Sequence, residues 1–222
     1  LTLYELGFSP KNLTNLETAI QKPRGMILVT GPTGAGKTTT LYAILGILNT
    51  SKVNITTIED PIEYDIVGVN QTQVNIKAGL TFATGLRSLV RQNPDIIMIG
   101  EIRDLETADI AVNAALTGHR LLSTLHTNDA ATSVPRLIDL KVPPFLIAST
   151  VNVVIAQRLA RKICNSCVHS TKLTKEIIGT FKEYTKNINV KLALPSIIYQ
   201  GRGCGACGFS GYRGQIGIFE VL

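Results

Sequence analysis

GMILVTGPTGAGKTTTLYAILGIL, residues 25–48, decides the fold. Its first six residues are almost purely apolar and read as a buried strand. Its centre is a glycine-rich turn, and Leu41, Ile44, Leu45 and Leu48 then recur at i, i+3, i+4 and i+7, the period of one helix face. Between strand and helix, GPTGAGKT (31–38) matches G-x-x-x-x-G-K-[ST] in the context that motif requires. Glycines let such a loop curl so that its N–H groups face phosphate, and the helix N-terminus adds a favourable dipole. The candidate nucleotide contacts are therefore Gly31, Pro32, Thr33, Gly34, Ala35, Gly36, Lys37, Thr38 and Thr39. Lys37 is expected on the β and γ phosphates, and the Thr38 hydroxyl on Mg²⁺.

The pattern repeats outward from this unit. VNITTI (53–58), DIIMI (95–99) and RLLSTL (120–125) read as strands, with helices near 82–92 and 105–117. Apolar strands alternating with helices imply an α/β fold with a mostly parallel sheet covered on both faces. Residues 134–163 read as helical, broken at Pro143-Pro144. The expected organisation is a linker and short helix over 1–22, the nucleotide-binding core over 23–163, and a cysteine lobe returning to the core over 164–222. The apolar run GQIGIFEVL at the end reads as a chain cut at both ends.

With 45% apolar and 17% charged residues the chain lies far from the disordered class. Its longest uncharged run, Val142 to Gln157, contains Pro, Ser, Thr and Asn and is shorter than a bilayer span, so no membrane-spanning helix is expected. No charged-then-apolar leader opens the sequence, which points to the cytoplasm. The net charge of +6 is scattered along the chain in ones and twos and by itself selects no partner.

Three acidic clusters follow predicted strands: Glu59, Asp60 and Glu63 in IEDPIEY, Glu101 and Asp104 in GEIRD, and Asp129 in LHTND. In an open α/β sheet, ligands bind beyond the carboxyl ends of the strands, so these groups converge on the phosphate loop. Nucleotide hydrolysis needs one carboxylate near Mg²⁺ and one to orient or deprotonate water. On chemistry alone Glu101 fits either role, while an isolated acid at a strand end is often only a solvated loop residue. His119 and His126 frame RLLSTL, and His126 is placed to contact a γ-phosphate.

Cys164 with Cys167 and Cys204 with Cys207 form C-x₂-C-x₃₆-C-x₂-C. Two such turns supply four thiolates for a structural, tetrahedral Zn²⁺. Redox use and free thiols are the rival readings, and CNSCVH is not a haem-attachment motif. His169 lies near the first pair but is not needed as a ligand.

In order along the chain, VTGPTGAGKTTTLY, TIEDPIEY, LRSLVRQNPDIIMIGEIRDLETADIA and ALTGHRLLSTLHTNDA resemble the Walker A, Asp box, Walker B and His box of the secretion ATPase superfamily, the motors of type II secretion and type IV pilus assembly. The resemblance implies a RecA-like P-loop NTPase core with a small zinc-bound lobe, using ATP/ADP, Mg²⁺ and Zn²⁺. It implies Glu63 as the base activating water, Glu101 as the acid supporting Mg²⁺ through water, and Arg87, Arg91 and Arg103 on the same face, with Arg103 and His126 at the catalytic centre. The cysteines with GYRGQIGIFEVL point to the assembly and type II secretion branches, since pilus retraction motors lack them. A homo-hexamer acting on an inner-membrane platform protein, peripherally associated with that membrane and without direct nucleic-acid contact, is implied too. So are a preceding nucleotide-sandwiching domain and a following helical segment outside these residues. A RecA-like nucleic-acid translocase or helicase is the alternative that the fold and basic charge permit, and a slowly hydrolysing, nucleotide-dependent binding module is a third.

Overall fold

The computed structural model describes residues 2–185 and 194–222; residues 186–193 of the expected cysteine lobe lie outside the described residues. Two helices, α1 (Leu3–Leu6) and α2 (Pro10–Gln21), lead into β1 (Gly25–Thr30) and α3 (Lys37–Leu48). Then follow β2 (Ile55–Glu59), β3 (Val69–Gln73), α4 (Phe82–Val90), β4 (Ile96–Ile99), α5 (Leu105–Leu116), β5 (Arg120–Leu125), α6 (Ser133–Asp139) and α7 (Pro144–Thr150). The chain finishes with β6 (Val151–Ile163), β7 (Val168–Lys172), α8 (Lys175–Thr185), β8 (Ile197–Gly201) and β9 (Tyr212–Val221).

Seven strands form one sheet in the order β3-β2-β4-β5-β1-β6-β9. The pairs β3/β2, β2/β4, β4/β5, β5/β1 and β1/β6 are parallel. At the far edge Val154 and Leu222 exchange both N–H···O bonds at 2.9 and 3.0 Å. The period-2 alternation of β1 splits the core in two. Met26 and Leu28 pack with α4, α5 and α7 on one face, and Ile27 and Val29 pack with α2 and α3 on the other. Burial on both faces is why β1 carries no polar residue before Thr30.

Residues 151–163, expected to be helical, form strand β6 instead. Val151, Val153, Val154 and Ile155 are β-branched, and Val153 to Ala156 pair with Ile27 to Thr30 of β1. The expected helix over 134–150 survives as α6 and α7, separated by the Pro143-Pro144 step. Strand β3, with sequence VNQTQ, carried no apolar signal because it is the sheet edge.

The chain divides into two compact units, Leu1–Leu159 with Gly217–Leu222, and Ala160–Ile216. The charge that is scattered in sequence is segregated between them. Nine of the 22 Lys and Arg but only two of the 16 Asp and Glu fall in Ala160–Ile216, so the first unit is close to neutral.

Helix α4 lies close against β2. A Cβ on Gly85 would sit 1.9 Å from Ile58 Cδ1, and Ile58 is fully buried, so its side chain has little room to turn away. Gly85→Ala gains helix propensity of about 0.5–1 kcal/mol but overpacks the core at about 1–3 kcal/mol. The expected result is net destabilisation, read as a lower thermal midpoint; an unchanged or raised midpoint would show that α4 can move away from the sheet.

Candidate active site

The phosphate loop takes its shape from three glycines at positive φ: Gly31 at 146°, Gly34 at 77° and Gly36 at 82°. Two of them also permit close approach to β6. A Cβ on Gly31 would lie 2.4 Å from the Gln157 carbonyl oxygen, and one on Gly36 would lie 2.9 Å from Gln157 Nε2. Gln157 is buried, and its Oε1 accepts a bond of 2.7 Å from the Thr40 hydroxyl of α3. The strand misread as helix is thus one wall of the phosphate loop. Gly36, the N-cap of α3, has no side chain to satisfy the first-turn N–H groups, which leaves them directed at an incoming anion. Lys37 Nζ donates to the carbonyls of Gly31 and Pro32 at 2.9 and 3.0 Å. Partial burial lowers the Lys37 pKa from its ordinary value, and the Glu101 charge opposes that shift.

A cleft of about 540 Å³ opens over this loop, lined by Thr33 to Thr39 and by Glu59, Glu63, Tyr64, Phe82, Glu101 and His126 among others. The residues expected to act together are thereby brought together from the carboxyl ends of β1, β2, β4 and β5, which are neighbours in the sheet. Glu101 is the most constrained of them. Arg103 Nη1 donates to its Oε1 at 3.0 Å, and His126 Nε2 lies 3.0 Å from its Oε2. An ionised carboxylate only accepts, so Nε2 carries the hydrogen in that contact. The Arg103 guanidinium is 5.4 Å from the Phe82 ring centroid. Arg103 is therefore held against Glu101 rather than lining the cleft. Gly31 and Pro32 likewise shape the loop from behind.

Glu63 reaches the cleft from the loop between β2 and β3, where it is exposed. Arg87, on α4, pairs with Glu106 of α5 at 2.7 Å on the surface, and Arg91 is exposed at the end of α4. The chain leaving β5 is stapled back to β1. Thr127 N–H donates to Thr30 Oγ1 at 2.9 Å, the two hydroxyls are 2.6 Å apart, and the chain of hydroxyls runs on to Ser133 at 2.8 Å.

Sequence reasoning noted Glu59 but gave it no role. It is 2% exposed, and its carboxylate accepts from Tyr42 Oη, from Thr57 Oγ1 at 2.5 Å and from Gln71 Nε2 at 3.1 Å. Burial, and then the hydrogen bond to Glu59, push the Tyr42 pKa well above that of an ordinary phenol. The available signal was Thr57 and Glu59 sharing one side of a strand that is buried along its whole length, a polar pair that needs buried partners.

In the second unit the four thiols cluster with all sulfurs within 4.8 Å of one another. Cys164–Cys204 and Cys167–Cys207 are 3.9 Å apart, and Cys204–Cys207 is 3.8 Å. A tetrahedron with Zn–S of about 2.3 Å has edges of about 3.8 Å, so the set fits that ion; a disulfide needs about 2.05 Å. Matching turns build both halves, with Cys167 N–H on the Cys164 carbonyl at 3.2 Å and Cys207 N–H on the Cys204 carbonyl at 3.1 Å. A hydrogen bond to the Cys204 backbone lowers the Cys207 pKa, whereas burial raises that of Cys167, so the thiols of the cluster shift in opposite directions. His169 is not in the cluster found among the described residues.

Comparison with known proteins follows the same lines. The chain is 52% identical over its whole length to the type II secretion system ATPase E of Vibrio cholerae, of which it spans 43%. It is 47% identical to the type IV pilus assembly ATPase PilB of Myxococcus xanthus, again over all of this chain and 38% of that protein. It therefore spans less than half the length of these curated relatives. Among solved structures, the pilus retraction motor PilT with bound ADP matches with a TM-score of 0.67 and 38% identity, over 74% of this chain and 50% of that one. The RecA-like reading of the mostly parallel sheet agrees with that likeness. All of residues 1–222 match the type II/IV secretion system protein family, and the chain belongs to that family.

Proposed function

We propose that the chain is the Mg²⁺-dependent, ATP-hydrolysing motor domain of a type II secretion or type IV pilus assembly ATPase. The observation that carries the reading is the convergence of Lys37, Thr38, Glu63, Glu101 and His126 on one cleft at the carboxyl ends of adjacent parallel strands. Lys37 and the free N–H groups of α3 bind the phosphates, and the Thr38 hydroxyl and Glu101 are the groups that would hold Mg²⁺. Mg²⁺ would neutralise charge on the β and γ oxygens. Arg103 and His126 orient Glu101 by occupying one oxygen each. Glu63 takes a proton from water as that water bonds to the γ-phosphorus, and the bond to the bridging oxygen breaks to release ADP and phosphate. His126, shared between Glu101 and the cleft, registers the γ-phosphate.

The four clustered cysteines would hold a Zn²⁺ in a structural role. The whole protein works as a homo-hexamer on an inner-membrane platform partner, from the cytoplasmic side. Among the described residues no helix is long and apolar enough to cross a membrane. The secretion and pilus relatives favour this reading over a nucleic-acid translocase.

The test is ATP turnover by the full-length protein, with and without Mg²⁺ and with and without DNA. Turnover that needs Mg²⁺ and ignores DNA is expected, whereas DNA stimulation would favour the translocase. Thr38→Ala removes one contact to a charged group, worth roughly 1.5–3 kcal/mol. It is expected to raise the Mg²⁺ concentration for half-maximal turnover about ten- to a hundredfold.

A further inference from the structure

The loop that carries Glu63 has no regular structure of its own between Glu59 and Val69, and Pro61, Glu63, Tyr64 and Asp65 are exposed. A general base must nonetheless be placed to within a fraction of an ångström. Side chains from neighbouring elements hold the backbone here. Gln71 Oε1 accepts from Ile66 N–H at 2.7 Å, and its Nε2 donates to the Tyr64 carbonyl at 3.2 Å and to Glu59 Oε1 at 3.1 Å. Gln73, on the same side of β3, accepts from Ile62 N–H at 3.3 Å. The Gln71 amide has one satisfying orientation, since flipping it would set a carbonyl oxygen against a carbonyl and a carboxylate.

The anchor beneath this clamp is buried. Glu59 is fixed by Tyr42 and Thr57 as well as by Gln71, and the Tyr64 ring stands edge-on to Tyr42 with centroids 4.7 Å apart. Tyr42 belongs to α3, the helix that begins at Lys37. A continuous set of contacts therefore runs from the phosphate-binding helix through Tyr42 and Glu59 to Gln71, and from there to the Tyr64–Asp65 and Asp65–Ile66 peptides just after Glu63, while Gln73 holds the Ile62 N–H just before it.

We infer that Gln71 is a positioning residue for the hydrolytic reaction, holding the Glu63 loop in register with the phosphate-binding helix through the buried Glu59–Tyr42 pair. This rests on the reading of Glu63 as the base. Gln71 is not among the residues that line the cleft; its effect is transmitted through the Tyr64 and Ile66 backbone.

In the full-length protein, Gln71→Met keeps the side-chain length and removes every hydrogen bond. Misplacing the base is expected to lower kcat about 10- to 100-fold, with KM for ATP and the affinity for ADP within about twofold of wild type. In a double-mutant cycle, Glu63→Gln with Gln71→Met turns over no more slowly than Glu63→Gln alone, because Gln71 acts only through Glu63. Amide exchange at Ile62 to Ile66 accelerates. Wild-type kcat in Gln71→Met, an equal loss of nucleotide affinity, or additive effects in the cycle would each overturn the inference. If Gln71→Met does not fold, Gln71→Glu gives the same readouts, since it keeps an acceptor for Ile66 N–H but opposes the Glu59 carboxylate. If Glu63→Gln hydrolyses ATP normally, the base assignment alone falls. The exchange measurement then still decides the clamp, and wild-type protection at Ile62 to Ile66 rejects it.

Discussion

Glu63→Gln in the full-length protein is expected to lower kcat for ATP hydrolysis about 10²–10⁴-fold while nucleotide binding stays near wild type. Gln keeps the size and polarity of Glu and loses only the ability to take a proton. Its site tolerates the change, because the Glu63 side chain is exposed and makes no ion pair among those found in the described residues. Binding is spared because Lys37, Thr38 and the N-terminus of α3 come from a different segment. Glu101→Gln gives a different signature. Glu101 holds Arg103 and His126 on its two oxygens, so removing its charge releases both partners and shifts the Mg²⁺ requirement as well as kcat. Steady-state turnover, equilibrium binding of a fluorescent nucleotide and a Mg²⁺ titration on both variants separate the roles. Normal turnover by the Glu63 variant would remove it as the base, and an identical Mg²⁺ profile for the two variants would remove Glu101 from the metal side.

The second large effect concerns the cysteines. Cys164→Ser is expected to cost the unit Ala160–Ile216 its folded structure. This unit has little else to hold it. Its two-stranded ribbon β7/β8 exposes Val168, Ile197 and Tyr199, and of its described residues only Cys164 is among the buried apolar side chains. Structural zinc supplies about 10–16 kcal/mol of apparent binding energy in small zinc-dependent folds, far more than so thin a core offers. The expected readouts are loss of one bound zinc per chain and rapid proteolysis within 160–216. ADP binding by the first unit should persist, since its strands pack independently around two apolar layers. A chelator acting on the wild type should reproduce the variant. Unchanged protease resistance in zinc-free protein would show that the thiols are not a structural metal site.

How legible all this was in the sequence depended on how local each signal is. Strand β1, the phosphate loop and α3 were legible because strand, turn and helix signals abut within 24 residues. Strand β6 was not. Its mostly apolar first half, Val151 to Ala156, suits a buried strand and a buried helix alike, and only its pairing with β1, over a hundred residues earlier, settles the choice. Strand β3 failed for the opposite reason, since an edge strand needs few apolar residues. The thiol cluster was legible in its paired turns, while its closure across the 36 intervening residues was an inference from ligand number. Glu59 went unassigned because its burial depends on Tyr42 and Gln71, two partners lying on either side of it in sequence and on different elements.

The staple between Thr127 and Thr30 has a consequence for timing. The backbone at His126 is tied to the strand that ends at the phosphate loop, so the imidazole is free only to rotate about its own side-chain bonds. Such rotations in partly exposed residues take picoseconds to nanoseconds, whereas enzymes commonly turn over about 1–10³ times per second. The ring samples its orientations about a million times or more per cycle and keeps no memory of the previous one. It reads the present occupant of the cleft at equilibrium, and the sense of direction a motor needs has to reside in slower, larger elements.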